Sequence, residues 1–121
     1  MIKVDDIYKF RKYLRTLYDR DVHMKGDLGG DIGKLTTQPF VESFYFAPQQ
    51  YFIKFVLNDT NAGNVEYIIN WTRSALQKFV RANLNTISFT LEERESFMEF
   101  ISHPNMLAEV NVVGNTIVFS L

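Results

Sequence analysis

The C-terminal end of the chain constrains the fold most strongly, because apolar and polar residues largely alternate there on both sides of a two-residue turn. Gly114-Asn115 is suited to a two-residue turn and lies between segments rich in β-branched residues. If Val113 pairs with Thr116, one face of the hairpin is apolar and the other mostly polar, whereas a shift of one residue would mix the two sets. The sequence therefore predicts a C-terminal β-hairpin in this register. Its apolar face is expected to carry Ala108, Val110, Val112, Ile117, Phe119 and Leu121.

Three other segments have the apolar period of amphipathic helices, namely residues 6–19, 65–82 and 91–102. The third is preceded by Thr90, which forms a capping-box pattern with Glu93, and it ends before a proline. Residues 25–34 separate the first helix from the rest and hold four of the six glycines, which is typical of a loop.

Strand-like segments complete the pattern. Residues 40–46 and 51–58 predict a hairpin with a loop of about four residues, and residues 86–89 predict a short strand. Phe52 and Val56 give the second strand a second apolar face, which predicts a central strand at least partly covered on each side. The element order is then α-β-β-α-β-α-β-β. It predicts a single α+β domain over residues 1–121, with an antiparallel or mixed sheet and about three α-helices packed mainly on one face.

The composition fits one globular domain that does not need disulfide bonds for stability. A chain of 121 residues has the usual size for a single core, and the absence of Cys excludes disulfides, thiolate catalysis and cysteine-bound zinc. No apolar run is long enough for a signal peptide or a membrane span, so we expect a cytoplasmic protein without a membrane partner. The aromatic content is high, with eleven Phe, six Tyr and one Trp. The core can bury most of these rings, and any that remain outside it favour a partner-binding surface.

The best candidates for such a surface lie on the second helix. Tyr67 and Trp71 are four residues apart on the flank opposite its buried stripe, and Lys78 lies further along the same side. Leu28 and Ile32 of the glycine-rich stretch are added as partner-binding candidates, since loops of this kind often bind partners. The competing interpretation is that a loop folds over the two rings. The favoured function is a non-enzymatic protein-interaction module that binds another protein or itself, such as an accessory inhibitor, an immunity-type protein or a small subunit of a virion-like assembly.

The first helix offers an alternative function in nucleic-acid binding. Cations interleaved with tyrosines are the side chains that contact phosphates and stack on bases. Against this stand the acidic residues at both ends of the helix and a net charge of −1. A solvated basic face paired with the acidic third helix explains the same pattern. The candidate nucleic-acid contacts are Lys9, Lys12, Arg15 and Arg20.

Catalytic and metal sites are incomplete in the sequence. The glycine-rich stretch fails as a P-loop because Leu35 replaces the required Ser or Thr. Glu99 and His103 have zinc-ligand spacing on a helix without a third ligand, and the acidic residues around His23 lack the spacing of an EF-hand. An enzyme with a carboxylate–histidine cleft is the third hypothesis, and we expect no cofactor and no metal. Residues considered for these sites are Asp19, Asp21, His23, Asp27, Glu92, Glu93, Glu95, Glu99 and His103.

Overall fold

A computed structural model describes residues 4–18, 28–47, 50–83 and 90–121. Within these ranges the helices are α1 (Val4–Tyr18), α2 (Gly29–Gly33), α3 (Ala62–Asn83) and α4 (Leu91–Ile101), with 3₁₀ turns at Lys34–Thr37 and Pro104–Met106. The strands are β1 (Val41–Ala47), β2 (Phe52–Leu57), β3 (Glu109–Val113) and β4 (Thr116–Ser120).

The four strands form one antiparallel sheet in the order β1-β2-β4-β3. The C-terminal hairpin has the predicted register, with Val113 opposite Thr116 and Val110 opposite Phe119. Gly114 adopts the positive φ of 60° that the two-residue turn requires. The prediction that the second strand is central is also confirmed, because β2 lies between β1 and β4.

Helix α4 begins as its sequence indicates. The Thr90 hydroxyl accepts a hydrogen bond from the Glu93 amide at 3.1 Å, and the Glu93 carboxylate accepts one from the Thr90 amide at 3.1 Å. This reciprocal capping box satisfies two amides that the first helical turn leaves without partners. The cap residue thus fixes where the helix starts.

The core lies on one side of the sheet, between its inner face and the helices. Ile53, Phe55, Ile117 and Phe119 are fully buried there, in contact with the apolar stripes of α1, α3 and α4. Three rings from two helices meet in this core, with centroids 5.2–6.5 Å apart: Phe10, Phe97 and Phe100. Each buried ring contributes roughly 2–3 kcal/mol by transfer from water. The predicted α+β fold with helices mainly on one face is confirmed.

The predicted glycine-rich loop is wrong for the part of residues 25–34 that the structure describes. From Leu28 onward the chain forms α2 and the following 3₁₀ turn. Leu28, Ile32 and Leu35 recur at helical spacing and all three are buried, so their burial stabilises the helical turns despite the glycines. The predicted strand at 86–89 lies outside the described residues, as do positions 48–49 of the first hairpin loop.

Candidate functional site

The side of the sheet opposite the helices carries a mixed apolar and aromatic surface. Residues that pair directly across antiparallel strands share a face, so Tyr45, Lys54 and Val118 form one row and Val56, Thr116 and Val113 the next. None of them belongs to the core or to the half-buried residues packed against it. We call this surface the open face. Its larger side chains are Tyr45, Phe52, Lys54, Val56, Val113 and Val118.

Two rings dominate one end of the open face. Tyr45 and Phe52 stack with centroids 5.4 Å apart and planes inclined by 23°. Tyr45 remains 51% exposed, and Val113 at the other end is 76% exposed. Exposed aromatic and branched side chains on a flat sheet surface offer a contact area that loses little conformational entropy on binding.

Lys54 lies in the middle of the open face, between Tyr45 on β1 and Val118 on β4. It is half-buried by these neighbours. Among the described residues no carboxylate lies within ion-pair distance of its ammonium group. Glu109, on the edge strand, belongs to the neighbouring row of this face. The centre of this surface is therefore positively charged and surrounded by apolar groups.

The predicted pair on the second helix, here α3, is only partly accessible. Tyr67 stacks on Trp71 with ring centroids 5.9 Å apart, and it makes a T-shaped contact with Phe40 at the same centroid distance. The Trp71 indole donates a hydrogen bond to the Asp31 carbonyl of α2 at 2.9 Å. The glycine-rich segment thus packs against the indole, as the competing interpretation proposed. Tyr67 itself is 39% exposed.

A small pocket of about 270 Å³ adjoins Trp71, between α2 and α3. The Asp31 carboxylate lies on its rim, 3.7 Å from the Lys34 ammonium and 3.6 Å from that of Lys78. Both lysines are well exposed, so each of these ion pairs contributes at most about 1 kcal/mol. Lys78 therefore pairs weakly with Asp31 of α2 and stays exposed.

Two of the predicted partner-binding residues are not on the surface. Leu28 and Ile32 have no exposed area, because both belong to the core cluster under α2. Their assignment to an accessible loop is wrong for the same reason that the loop prediction is wrong: their spacing matches one buried face of a helical turn. Neither side chain contacts a partner in this conformation.

The cations predicted for nucleic-acid binding are partly engaged within the protein. Lys9 forms an ion pair with Glu93 of α4 at 3.2 Å, which matches the expected pairing of the basic and acidic helices. The hydrogen bond from the Thr90 amide, followed by the one from Lys9, lowers the pKa of Glu93 below its usual range. Lys12 is exposed on α1, and Arg20 lies outside the described residues.

Arg15 lines a cleft between α1 and the C-terminal hairpin. Its guanidinium lies 3.9 Å above the centre of the Tyr51 ring, a cation–π contact. The cleft, of about 370 Å³, also contains Arg11 and Glu109, so charges of both signs line it. Tyr18 closes its floor, where its hydroxyl donates to the Leu107 carbonyl at 3.1 Å and burial raises its pKa.

The candidate catalytic groups do not converge in the described part of the chain. Glu99 and His103 are both exposed, and no cluster of three potential metal ligands occurs among the described residues. Neither the pocket beside Trp71 nor the cleft beside α1 includes Glu93, Glu99 or His103 in its lining. Asp19, Asp21, His23 and Asp27 lie outside the described residues.

Sequence reasoning missed Tyr45, Lys54 and Val118 as candidate binding residues. The signal in the sequence was the polar or charged residues that interrupt the second face of these strands, namely Lys54 in β2 and Thr116 and Ser120 in β4. They indicate a face that is not fully covered. The size of Phe52 and Val56 predicts a strand at least partly covered on each side, and Phe52 would join a partner surface only if one face of the sheet is open.

No protein-family model, curated protein or solved structure matches this chain. None of the described helices is long and apolar enough to cross a membrane.

Proposed function

We propose that this chain is a non-enzymatic protein-interaction module that binds a protein partner through the open face of its sheet. The observation that supports this most is the position of Lys54, a half-buried cation without an acidic partner among the described residues, at the centre of an apolar and aromatic surface. The described helices cover the other face, and the open face carries aromatic and apolar side chains beside polar ones such as Thr116 and Ser120. Accessory inhibitors, immunity-type proteins and small assembly subunits all act by such binding.

The energetics of the open face favour a partner with a particular chemistry. Contacts with Tyr45, Phe52 and the neighbouring valines remove apolar surface from water, at about 25 cal/mol per Å². The same contacts would strip water from Lys54, which costs free energy unless the partner supplies an acceptor. The matching partner surface is therefore apolar with a carboxylate at its centre.

The α3 flank is a weaker candidate for the same role. Trp71 has already used its indole donor on Asp31, and Lys78 is drawn to the same residue. Tyr67 keeps part of its ring accessible but packs between Phe40 and Trp71. Binding here would add little new burial to rings that the protein already covers.

A displayed library of random peptides provides a test that does not require the natural partner. Selection on the immobilised full chain is expected to enrich peptides with Asp or Glu flanked by aromatic or aliphatic residues. Their affinity should fall about tenfold or more for Tyr45→Ala and for Lys54→Glu, as expected for central contact residues. Tyr67→Ala is the matched control, because it removes a partly exposed tyrosine ring, 39% accessible against 51% for Tyr45, from the other surface.

Circular dichroism and thermal unfolding of each variant separate lost binding from lost fold. If the enriched peptides bind Tyr45→Ala and Lys54→Glu as tightly as the wild type, the open face is not the binding surface. Loss of binding in Tyr67→Ala alone would assign the function to the α3 flank instead.

A further inference from the structure

The two edges of the sheet differ in how they are protected. An edge strand presents unpaired N–H and C=O groups to which another strand can bind. In β1 the pairing with β2 is irregular between Val41 and Ser43, and a bulge of this kind obstructs pairing on the outer edge. All five residues of β3 pair with β4 in unbroken register. The strand has no Lys, Arg or Pro, and its one charged residue is Glu109, at its start.

Strand β3 is also the most exposed strand of the sheet. Of its five residues only Val110 is half-buried, and the other four are exposed. Val112 points to the helix side of the sheet, yet 47% of its surface is accessible because the helices do not cover this margin. Among the described residues, no strand other than β4 pairs with β3, and its apolar side chains are largely exposed.

Backbone hydrogen bonds fix which groups of β3 point outward. The Leu57 amide donates to the Asn115 carbonyl at 2.8 Å, and the Leu121 amide donates to the Tyr51 carbonyl at 2.8 Å. The N–H and C=O groups of successive residues point to opposite sides of a strand. Those of Ile117 and Phe119 therefore point to β2, and those of the even-numbered residues of β4 point to β3. Their partners are Glu109, Asn111 and Val113. The N–H and C=O groups of Val110 and Val112 consequently point away from the sheet.

We propose that β3 pairs with β3 of a second copy of this chain, antiparallel and centred on Asn111. In this register Val110 of each copy lies opposite Val112 of the other, and their outward backbone groups form four hydrogen bonds. The valine pairs lie on the helix side, and the two Asn111 side chains meet on the open face. The result is an eight-stranded sheet built across a twofold axis.

The charge and length of β3 favour this register. It is the only antiparallel register in which all five residues of β3 pair with β3 of the other copy. Glu109 then lies opposite Val113, so the two carboxylates are at opposite ends of the pair, about 13 Å apart along the strand. At this distance salt screens most of their repulsion. The interface is small, so we expect reversible self-association.

Because the chain contains no Cys, single-cysteine variants of the full chain can trap the pair covalently. Asn111→Cys places the two Cα atoms about 4.5 Å apart, as in a non-hydrogen-bonded antiparallel pair, which permits a disulfide. Val113→Cys is the matched control on the same strand. It is more exposed, but the two sulfurs would be at opposite ends of the pair, too far apart to bond. Under mild oxidation we expect Asn111→Cys to crosslink about tenfold faster or more.

Val112→Pro provides a second test in the Asn111→Cys background. Proline removes an outward-pointing amide, which the β3–β4 ladder does not use, so the hairpin should persist. We expect the fast crosslinking to disappear while the circular dichroism spectrum is retained. Equal crosslinking rates for Asn111→Cys and Val113→Cys, or no crosslink in either folded variant, would overturn the pairing. Neither result bears on peptide binding by the open face, which is measured separately.

Discussion

At the scale of single residues, Thr72 shows how a buried position can satisfy packing and still cost free energy. It lies in the inward stripe of α3, as its spacing predicts, and has no exposed area. No described residue forms a hydrogen bond with its hydroxyl. A buried hydroxyl without a partner loses its hydration and gains nothing in return, which costs about 1–3 kcal/mol.

We therefore expect Thr72→Val to raise the free energy of unfolding by about 1 kcal/mol, because Val has the same shape without the hydroxyl. Val and Thr have similar helix propensities, so α3 should not change. Urea denaturation, monitored by circular dichroism, measures the difference in the free energy of unfolding between the variant and the wild type. Thr72→Ser is the control: it keeps the hydroxyl and should be less stable than the wild type. A less stable Thr72→Val would mean that the hydroxyl is satisfied after all.

At the scale of secondary-structure elements, α2 and the C-terminal turn contain glycines in opposite roles. Gly30 lies in α2, and a Cβ added there would meet no atom within 4 Å. Gly114 has open space as well, but its φ of 60° is unfavourable for any residue with a Cβ. One glycine is tolerated in its element and the other is required.

Alanine at these two positions should consequently have effects of opposite sign. Gly30→Ala is expected to stabilise the protein by about 0.5–1 kcal/mol, since it lowers the entropy of the unfolded chain. Gly114→Ala is expected to destabilise it by about 1–2 kcal/mol through backbone strain. Thermal unfolding of the two variants and the wild type measures both effects. A destabilised Gly30→Ala would argue that α2 is not helical in solution.

The elements also show which parts of the fold the sequence could predict. The C-terminal register was predictable because Gly114 fixes the turn and the apolar residues of the hairpin, except Val113 and Val118, share its core face in this pairing. The capping box at Thr90 is equally local. α2 was not predictable from glycine content, because its stability comes from the burial of Leu28 and Ile32 against distant parts of the chain.

At the scale of the whole molecule, the decisive property is that the helices in the described part of the chain cover only one face of a four-stranded sheet. Sequence patterns identified β2 as central but could not show that its second face stays uncovered. That depends on where each helix returns after its strand, which local periodicity does not encode. For the same reason Tyr67 and Trp71 were identified as surface candidates, whereas Tyr45 and Lys54 were not.

The accessibility of two adjacent residues on β4 tests the uncovered face most directly. The cysteine-free chain allows Val118→Cys on the open face and Ile117→Cys on the core face to be labelled with a small maleimide. We expect Val118→Cys, which is half-buried, to react more slowly than the unfolded chain but without any need for the core to open. Ile117→Cys should react at least about a hundredfold more slowly, because the core must open first. Equal protection of both cysteines in the folded protein would contradict an open face and the binding function inferred from it.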